Sequence, residues 1–201
     1  MVYCLATPRI QTGFGLRSLT GALMTADTEA LNEIRRLDPR ALAELHDRHF
    51  AELYRYARFR LGDPHAAEDI TSETFVRLLE ALRAGRGPRT SPRGWLFGTL
   101  RHLVDDHFRS AYGRPAAGVP IESLVENGPD HHLEEAEQRA RVAEAMRRLT
   151  GEQQHVLALR FGGGHSLEET AELMGRNSNA VKALQFRALA SLRRHIGRES
   201  T

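Results

Sequence analysis

Apolar positions along this chain recur at intervals of three and four residues, the spacing that lines one face of a helix. Leu42, Leu45, Leu53, Ala57 and Leu61 form one such stripe. It is entered through Asp38-Pro39, an N-cap followed by proline at the first helical position, and it stops at Gly62. Asp63-Pro64 repeats the entry, and Ala67, Ile70, Thr74, Leu78 and Leu82 follow on one face as far as Gly85. A basic turn, "GRGPRTSPRG", leads through Ser91-Pro92 into a third helix in which Leu96, Leu100, Leu103 and Val104 serve a core. From Ala111 to about Glu137 glycine, proline and acids interrupt any pattern. Helical spacing returns from about Leu133 to Leu149, continues in "TGEQQHVLALRF", breaks at "GGGH" and resumes as two short helices.

The expected fold is therefore all-α, with two small helical domains, an N-terminal helical bundle and a C-terminal helix-turn-helix domain, joined by a flexible acidic linker. The boundaries are a tail over 1–37, a bundle over 38–110, a linker over 111–132 and a C-terminal domain over 133–197. The tail has no amphipathic pattern over its first half, and Met24 offers an alternative start. Fully extended, about 27 residues of linker and adjoining chain would reach roughly 90 Å.

Composition sharpens this picture through the placement of charge. The net charge is only +2. Yet Ala116–Gln138 holds six acids and no Lys or Arg, while Leu173–Arg198 holds six bases and no acid. That segregation points one end of the chain at an anion. A single cysteine, Cys4, excludes an internal disulfide and a cysteine-based zinc site. The first 23 residues lack the basic start and unbroken apolar core of a signal peptide. No stretch nears the roughly 18 apolar residues of a membrane span. A cytoplasmic location without membrane contact is expected.

The C-terminal segment carries the most specific chemistry. Ser166 and Glu169 form a capping box for a helix over Leu167–Met174. Gly175 suits the left-handed position that ends it, and Ser178 or Asn177 caps the next helix. Two short helices around a glycine turn are the helix-turn-helix plan, whose second helix enters the major groove by its N-terminal end. Val181, Leu184, Ala188 and Leu192 face inward; Asn179, Lys182, Ala183, Phe186 and Arg187 face outward, though Phe186 has packing on a neighbouring helix as a second reading. An amide, an ammonium, a methyl, an aromatic ring and a guanidinium are the groups that read base edges, touch thymine methyls and neutralise phosphates. The first amides of the helix, at Ser178 and Asn179, add a phosphate site.

Two further faces stand out. Asp69, Glu73, Val76 and Glu80 make an acidic stripe opposite the core of the second helix, which suits a basic protein surface and not DNA. On the third helix Trp95, Thr99, His102, Asp106 and Arg109 share a face. Arginines from Arg83 to Arg114 outnumber aspartates seven to two, and a basic surface with interleaved aromatics suits single-stranded DNA. For Trp95, a place in the core is the competing reading.

Together these blocks resemble the extracytoplasmic-function (ECF) type of bacterial RNA polymerase sigma factor. "LTGEQQHVLALRF…SLEETAELMGRNSNAVKALQFRALASLRR" resembles the domain that reads the minus-thirty-five element, "GDPHAAEDITSETFVRLLEAL" the segment that docks on the polymerase clamp, and "RGWLFGTLRHLVDDHFRS" the segment that opens and binds the minus-ten element. The match runs over about residues 40–195 in the family's order. The resemblance implies core RNA polymerase contacts at Asp69, Ser72, Glu73, Val76 and Glu80. It implies minus-ten DNA contacts at Arg93, Trp95, Thr99, His102, Asp106 and Arg109, and minus-thirty-five contacts at Arg176, Ser178, Asn179, Lys182, Ala183, Phe186 and Arg187. His102 stands where the family carries the asparagine of "ARN". Ala183, Leu184 and Phe186 depart from the family's "TVKSRLHRA", which implies an unusual upstream element.

Other chemistry is not supported. His102 and His107 lie about 140° apart on a helix, poor geometry for one metal ion, and Asp130-His131-His132 falls in the acidic linker. "FGGGHS" lacks the ending of a phosphate loop, and no nucleophile has a placed base. The expectation is a non-enzyme with no cofactor and no metal, monomeric when free. Its partners are core RNA polymerase and promoter DNA, with an anti-sigma factor as a further candidate. A stand-alone helix-turn-helix regulator is the alternative, and it leaves the acidic stripe unexplained.

Overall fold

The computed structural model describes residues 29–112 and 132–198, and all regular structure among them is helical. The helices are α1 (29–35), α2 (Pro39–Leu61), α3 (Pro64–Arg83), α4 (Pro92–Tyr112), α5 (His132–Arg147), α6 (Gly151–Leu157), α7 (Leu167–Met174) and α8 (Ser178–Arg198), with one π-helical turn at Ala158–Gly162. None is long and apolar enough to cross a membrane.

The entry signals act as their chemistry requires. Asp38 accepts from the N–H groups of Arg40 and Ala41 at 3.0 and 2.9 Å, satisfying donors that have no partner inside α2. Asp63 does the same for His65 and Ala66 at the start of α3. Ser91 accepts from Gly94 at 3.0 Å as α4 begins. These three helices enclose a core in which Leu53, Tyr56, Leu78, Leu96, Phe97, Leu100 and Val104 are almost wholly buried. Each such side chain is worth about 1.5–3 kcal/mol of burial. Thr71 and Thr74 share that core because their hydroxyls donate back to Ala67 and Ile70 carbonyls at 2.7 and 2.8 Å.

The tail expected through residue 37 is shorter than the sequence pattern implies. Its last part is α1, with Leu31 and Ile34 buried and Ile34 in the first core. Arg35 fastens it to the turn after α3 by donating to the carbonyls of Pro88 and Arg89 at 3.1 and 2.8 Å. Two apolar residues make no periodic signal; α1 is held by what it lies against. The remainder of the expected tail, and most of the linker, lie outside the described residues.

The second core comprises Leu149, Val156, Leu157, Ala171, Val181, Leu184 and Ala188. A capping box unnoticed in the sequence pattern, Thr150 with Gln153, opens α6. Gln154 closes α5 by donating to the carbonyls of Met146 and Leu149, both at 3.0 Å.

The two domains are docked, where the sequence suggested only modules on a tether. Ala158 and Leu159, from the π-helical turn, are buried in the first core among residues of α2 and α4. The turn winds one residue wide, with the Gly163 N–H bonded to the Ala158 carbonyl at 2.8 Å.

Candidate nucleic-acid interface

In the C-terminal domain, Ser166 accepts from the Glu169 N–H at 3.1 Å while Glu169 accepts from the Ser166 N–H at 2.8 Å, so the capping box is complete. That backbone contact and the Ser166 hydroxyl both favour the ionised Glu169 carboxyl and lower its pKa. Gly175 sits at φ 61°, the left-handed region that costs glycine nothing. Of the two caps left open by the sequence, Asn177 holds the position, accepting from Ala180 N–H at 2.8 Å.

Val181 and Ala188 are fully buried and Leu184 nearly so. Asn179, Lys182, Ala183 and Arg187 are exposed, and Phe186 is 74% exposed, so it does not pack on a neighbouring helix. An exposed aromatic ring between two cations has no role in this core. Ser178 is half-buried at the helix start. Arg176, in the turn, donates to Glu152 at 2.8 Å.

On α4, His102, Asp106 and Arg109 are exposed, with Arg109 paired to Asp106, while Thr99 is half-buried. Trp95 is half-buried against the first core, so packing claims part of its ring. Arg93 does not project freely: it donates to both carboxylate oxygens of Glu52, at 3.1 and 2.8 Å, and to His165 Nδ1 at 3.1 Å. Burial pushes the Glu52 carboxyl up, but hydrogen bonds from His49 and Arg93 and their charges outweigh it and hold it at about 2. The hydrogen bond to Glu52 in turn raises Arg93.

On α3, Asp69, Ser72, Val76 and Glu80 are exposed. Glu73 and Glu80 share Arg77, at 2.8 and 3.6 Å, which trims the negative charge of the stripe without removing it. Val76, an apolar side chain, is 46% exposed among these acids.

Residues 45–113 match the Sigma-70 region 2 family, and residues 145–194 match Sigma-70, region 4. The chain is 38% identical over 157 residues to the ECF RNA polymerase sigma factor BldN of Streptomyces coelicolor, a match covering 77% of this chain and 60% of that protein. It thus spans about three-fifths of that relative's length. Over 172 residues it is 33% identical to the ECF RNA polymerase sigma factor SigD of Mycobacterium tuberculosis, covering 79% of this chain and 78% of SigD. The chain belongs to the ECF sigma factor family.

Its fold agrees: the structure of CnrH in complex with the cytosolic domain of CnrY aligns with a TM-score of 0.57 at 23% identity, over 86% of this chain and 98% of CnrH. In this ECF sigma factor, region 2 comprises α2–α4 and region 4 runs from the end of α5 through most of α8.

A set of residues that sequence reasoning did not single out lines the seam between those regions. Tyr56, fully buried on α2, lies 2.8 Å from Nδ1 of His155 on α6. Arg60, its side chain 2% exposed, donates to the Tyr56 oxygen at 3.3 Å and to Asp105 at 2.9 Å. Glu152 joins Arg101 of region 2 to Arg176 of region 4. No local pattern marks these residues; only a buried histidine and buried arginines hint at partners, and burial is not visible in a sequence.

Proposed function

We propose that this chain binds core RNA polymerase and directs it to promoters whose two elements it reads with its two domains. The acidic stripe on α3, Asp69, Ser72, Glu73, Val76 and Glu80, meets a basic polymerase surface. The α4 face with Arg93, Trp95, Thr99, His102, Asp106 and Arg109 holds the melted minus-ten element. The start of α8, with Arg176, Ser178, Asn179, Lys182, Ala183, Phe186 and Arg187, reads the minus-thirty-five element. The chain performs no chemistry of its own and needs no cofactor or metal; polymerase makes the bonds. Its place is the cytoplasm, where genome and polymerase are, and it is a monomer when free. CnrH was solved with a protein partner, and an anti-sigma factor is the corresponding partner class here.

The observation that carries this reading is the pairing, on one chain, of an exposed face on α8 that offers an amide, two cations and an aromatic ring with an exposed acidic stripe on α3. A DNA-binding regulator acting alone has no use for the second. The test is run-off transcription with core polymerase on a genomic library. Initiation at defined sites that depends on the chain supports the proposal. Tight, sequence-specific binding of the isolated chain to a two-fold symmetric site, without effect on polymerase, would replace it with a stand-alone regulator.

A further inference from the structure

Helix α1 lies outside the residues that match region 2, which begin at Leu45. Its attachment to that region is nevertheless closely specified. Leu37, just past its end, is the one described residue other than glycine with a positive φ, at 59°. The Leu37 N–H donates to the Ile34 carbonyl at 3.0 Å and the Asp38 N–H to the Glu33 carbonyl at 3.1 Å, the bonding of a helix end that ordinarily takes glycine at this place. Leucine holds such a backbone only where its surroundings impose it, and Leu37 packs against the first core. The direction of α1 is therefore set by region 2.

What that direction delivers is Arg35. Its Nε donates to the Pro88 carbonyl at 3.1 Å and its Nη2 to the Arg89 carbonyl at 2.8 Å, so one guanidinium fork closes on two successive carbonyls of the turn between α3 and α4. The turn is held from within as well. Gly85 takes a φ of 67° to end α3, and the Arg86 N–H returns to the Ala81 carbonyl at 2.8 Å. A Cβ on Gly87 would strike the side chain of Leu82, which is itself buried, and Pro88 is buried beside it in sequence. Ser91 then caps α4. A stretch rich in Gly, Pro, Ser and Thr is expected to move; this one is fastened at both ends and in the middle.

The same turn carries the free positive charge of region 2. On the flanking helices Arg77, Arg93, Arg101 and Arg109 each have a carboxylate partner. Arg83, Arg86 and Arg89, at the end of α3 and in the turn, are exposed and have no carboxylate partner among the described residues. Three unpaired cations on a backbone ordered in advance suit a phosphate chain, because the cost of ordering is met before the anion arrives. The turn leads directly into the α4 face of Arg93, Trp95 and Thr99, so its shape also sets where that face begins.

We infer that Arg35 is a positioning residue for the minus-ten element: without touching DNA, it holds the turn so that Arg86 and Arg89 meet the phosphates of the melted strand and α4 receives its bases in register. This inference rests on the proposed promoter function, and the experiment separates the two. Arg35 is exposed, so Arg35→Ala should fold, and it should co-purify with core polymerase as well as the unmodified chain does, because the acidic stripe on α3 is untouched. Hydrogen exchange of the turn amides should quicken several-fold. Holoenzyme transcription should lose about fivefold of its preference for a favoured minus-ten element over singly substituted ones, the order of one base contact. Arg35→Lys keeps the charge without the fork, so its selectivity should follow the looseness of its turn and not its charge. Full selectivity with a loosened turn, in either variant, overturns the inference, as does a turn that Arg35→Ala leaves undisturbed. If the unmodified chain itself starts no transcription with core polymerase, it is the promoter function that falls, and the inference with it.

Discussion

The hydroxyl of Tyr56 lies 2.8 Å from Nδ1 of His155, and the two residues are 99 positions apart. Arg60 can only donate, so the Tyr56 oxygen accepts from it and the Tyr56 proton points at His155. His155 is thereby fixed as the neutral tautomer that carries its proton on Nε2. Burial pushes the Tyr56 hydroxyl up to about 12, consistent with a phenol that stays protonated as donor.

Tyr56→Phe removes that donor and keeps the ring, including its edge-on contact with Phe97. It leaves Nδ1 of His155 buried without a partner, which should lower stability by about 1–3 kcal/mol. Chemical denaturation followed by circular dichroism reads this directly. An unchanged midpoint would mean that the two regions are already apart in solution.

Acid should loosen the same seam. Burial, with the Arg101, Arg60 and Arg176 charges adding to it, pulls His155 down to about 3. His165 is also lowered, by burial and by Arg93 and Arg55, while Glu52 and Glu169 oppose the shift. Below the ordinary histidine value of about 6.5, the unfolded chain binds protons that the folded one refuses. Stability is therefore complete above pH 6.5 and declines as pH falls, for His155 as far as about 3 and by up to about 1.4 kcal/mol per pH unit, with His165 adding in the same direction. Between pH 7.5 and 5, ordinary carboxylates have barely begun to titrate, so the denaturation midpoint reports the histidines. His155→Gln should flatten that decline; the same slope in both proteins would remove His155 as its source.

Reversing Asp69 and Glu73 to arginine should weaken association with core polymerase by several kcal/mol, because like charges then face each other. Both residues are partly or fully exposed, and Glu73 gives up only a surface pair with Arg77, so thermal stability should move by no more than about 0.5 kcal/mol. The check is co-purification of polymerase with the folded double variant. Undiminished recovery would take the docking site off α3.

Along α8 the exposed polar groups should divide by depth in the groove. Arg187→Ala should weaken all promoters about equally and reduce the salt dependence of binding by about one phosphate. Asn179→Ala and Lys182→Ala, nearer the N-terminal end, should act unequally on different upstream elements, by about 1–3 kcal/mol at the favoured one. Holoenzyme transcription from promoters with single base changes reads the difference. Even loss on every promoter from the last two variants would make α8 a backbone grip.

What the sequence determined by itself is whatever is settled within about four residues. Asp38, Asp63 and the Ser166–Glu169 pair start helices because their oxygens meet amides two or three positions on. Gly175 ends one because its own φ allows it, and the outward set on α8 follows from helical spacing once Val181 and Ala188 turn inward. The tertiary structure alone decided which elements touch. Helix α1 exists because Ile34 and Arg35 find partners elsewhere in the fold. Arg93, for which the family resemblance implied a minus-ten contact, is tied to Glu52, 41 residues away, and to His165, 72 residues away. Glycines 162 and 163, read as a break, are spaces shaped by Phe59 and His165. Periodicity and caps report a residue's own helix, whereas an ion pair or a missing Cβ reports the surface opposite, and that surface is specified by distant parts of the chain.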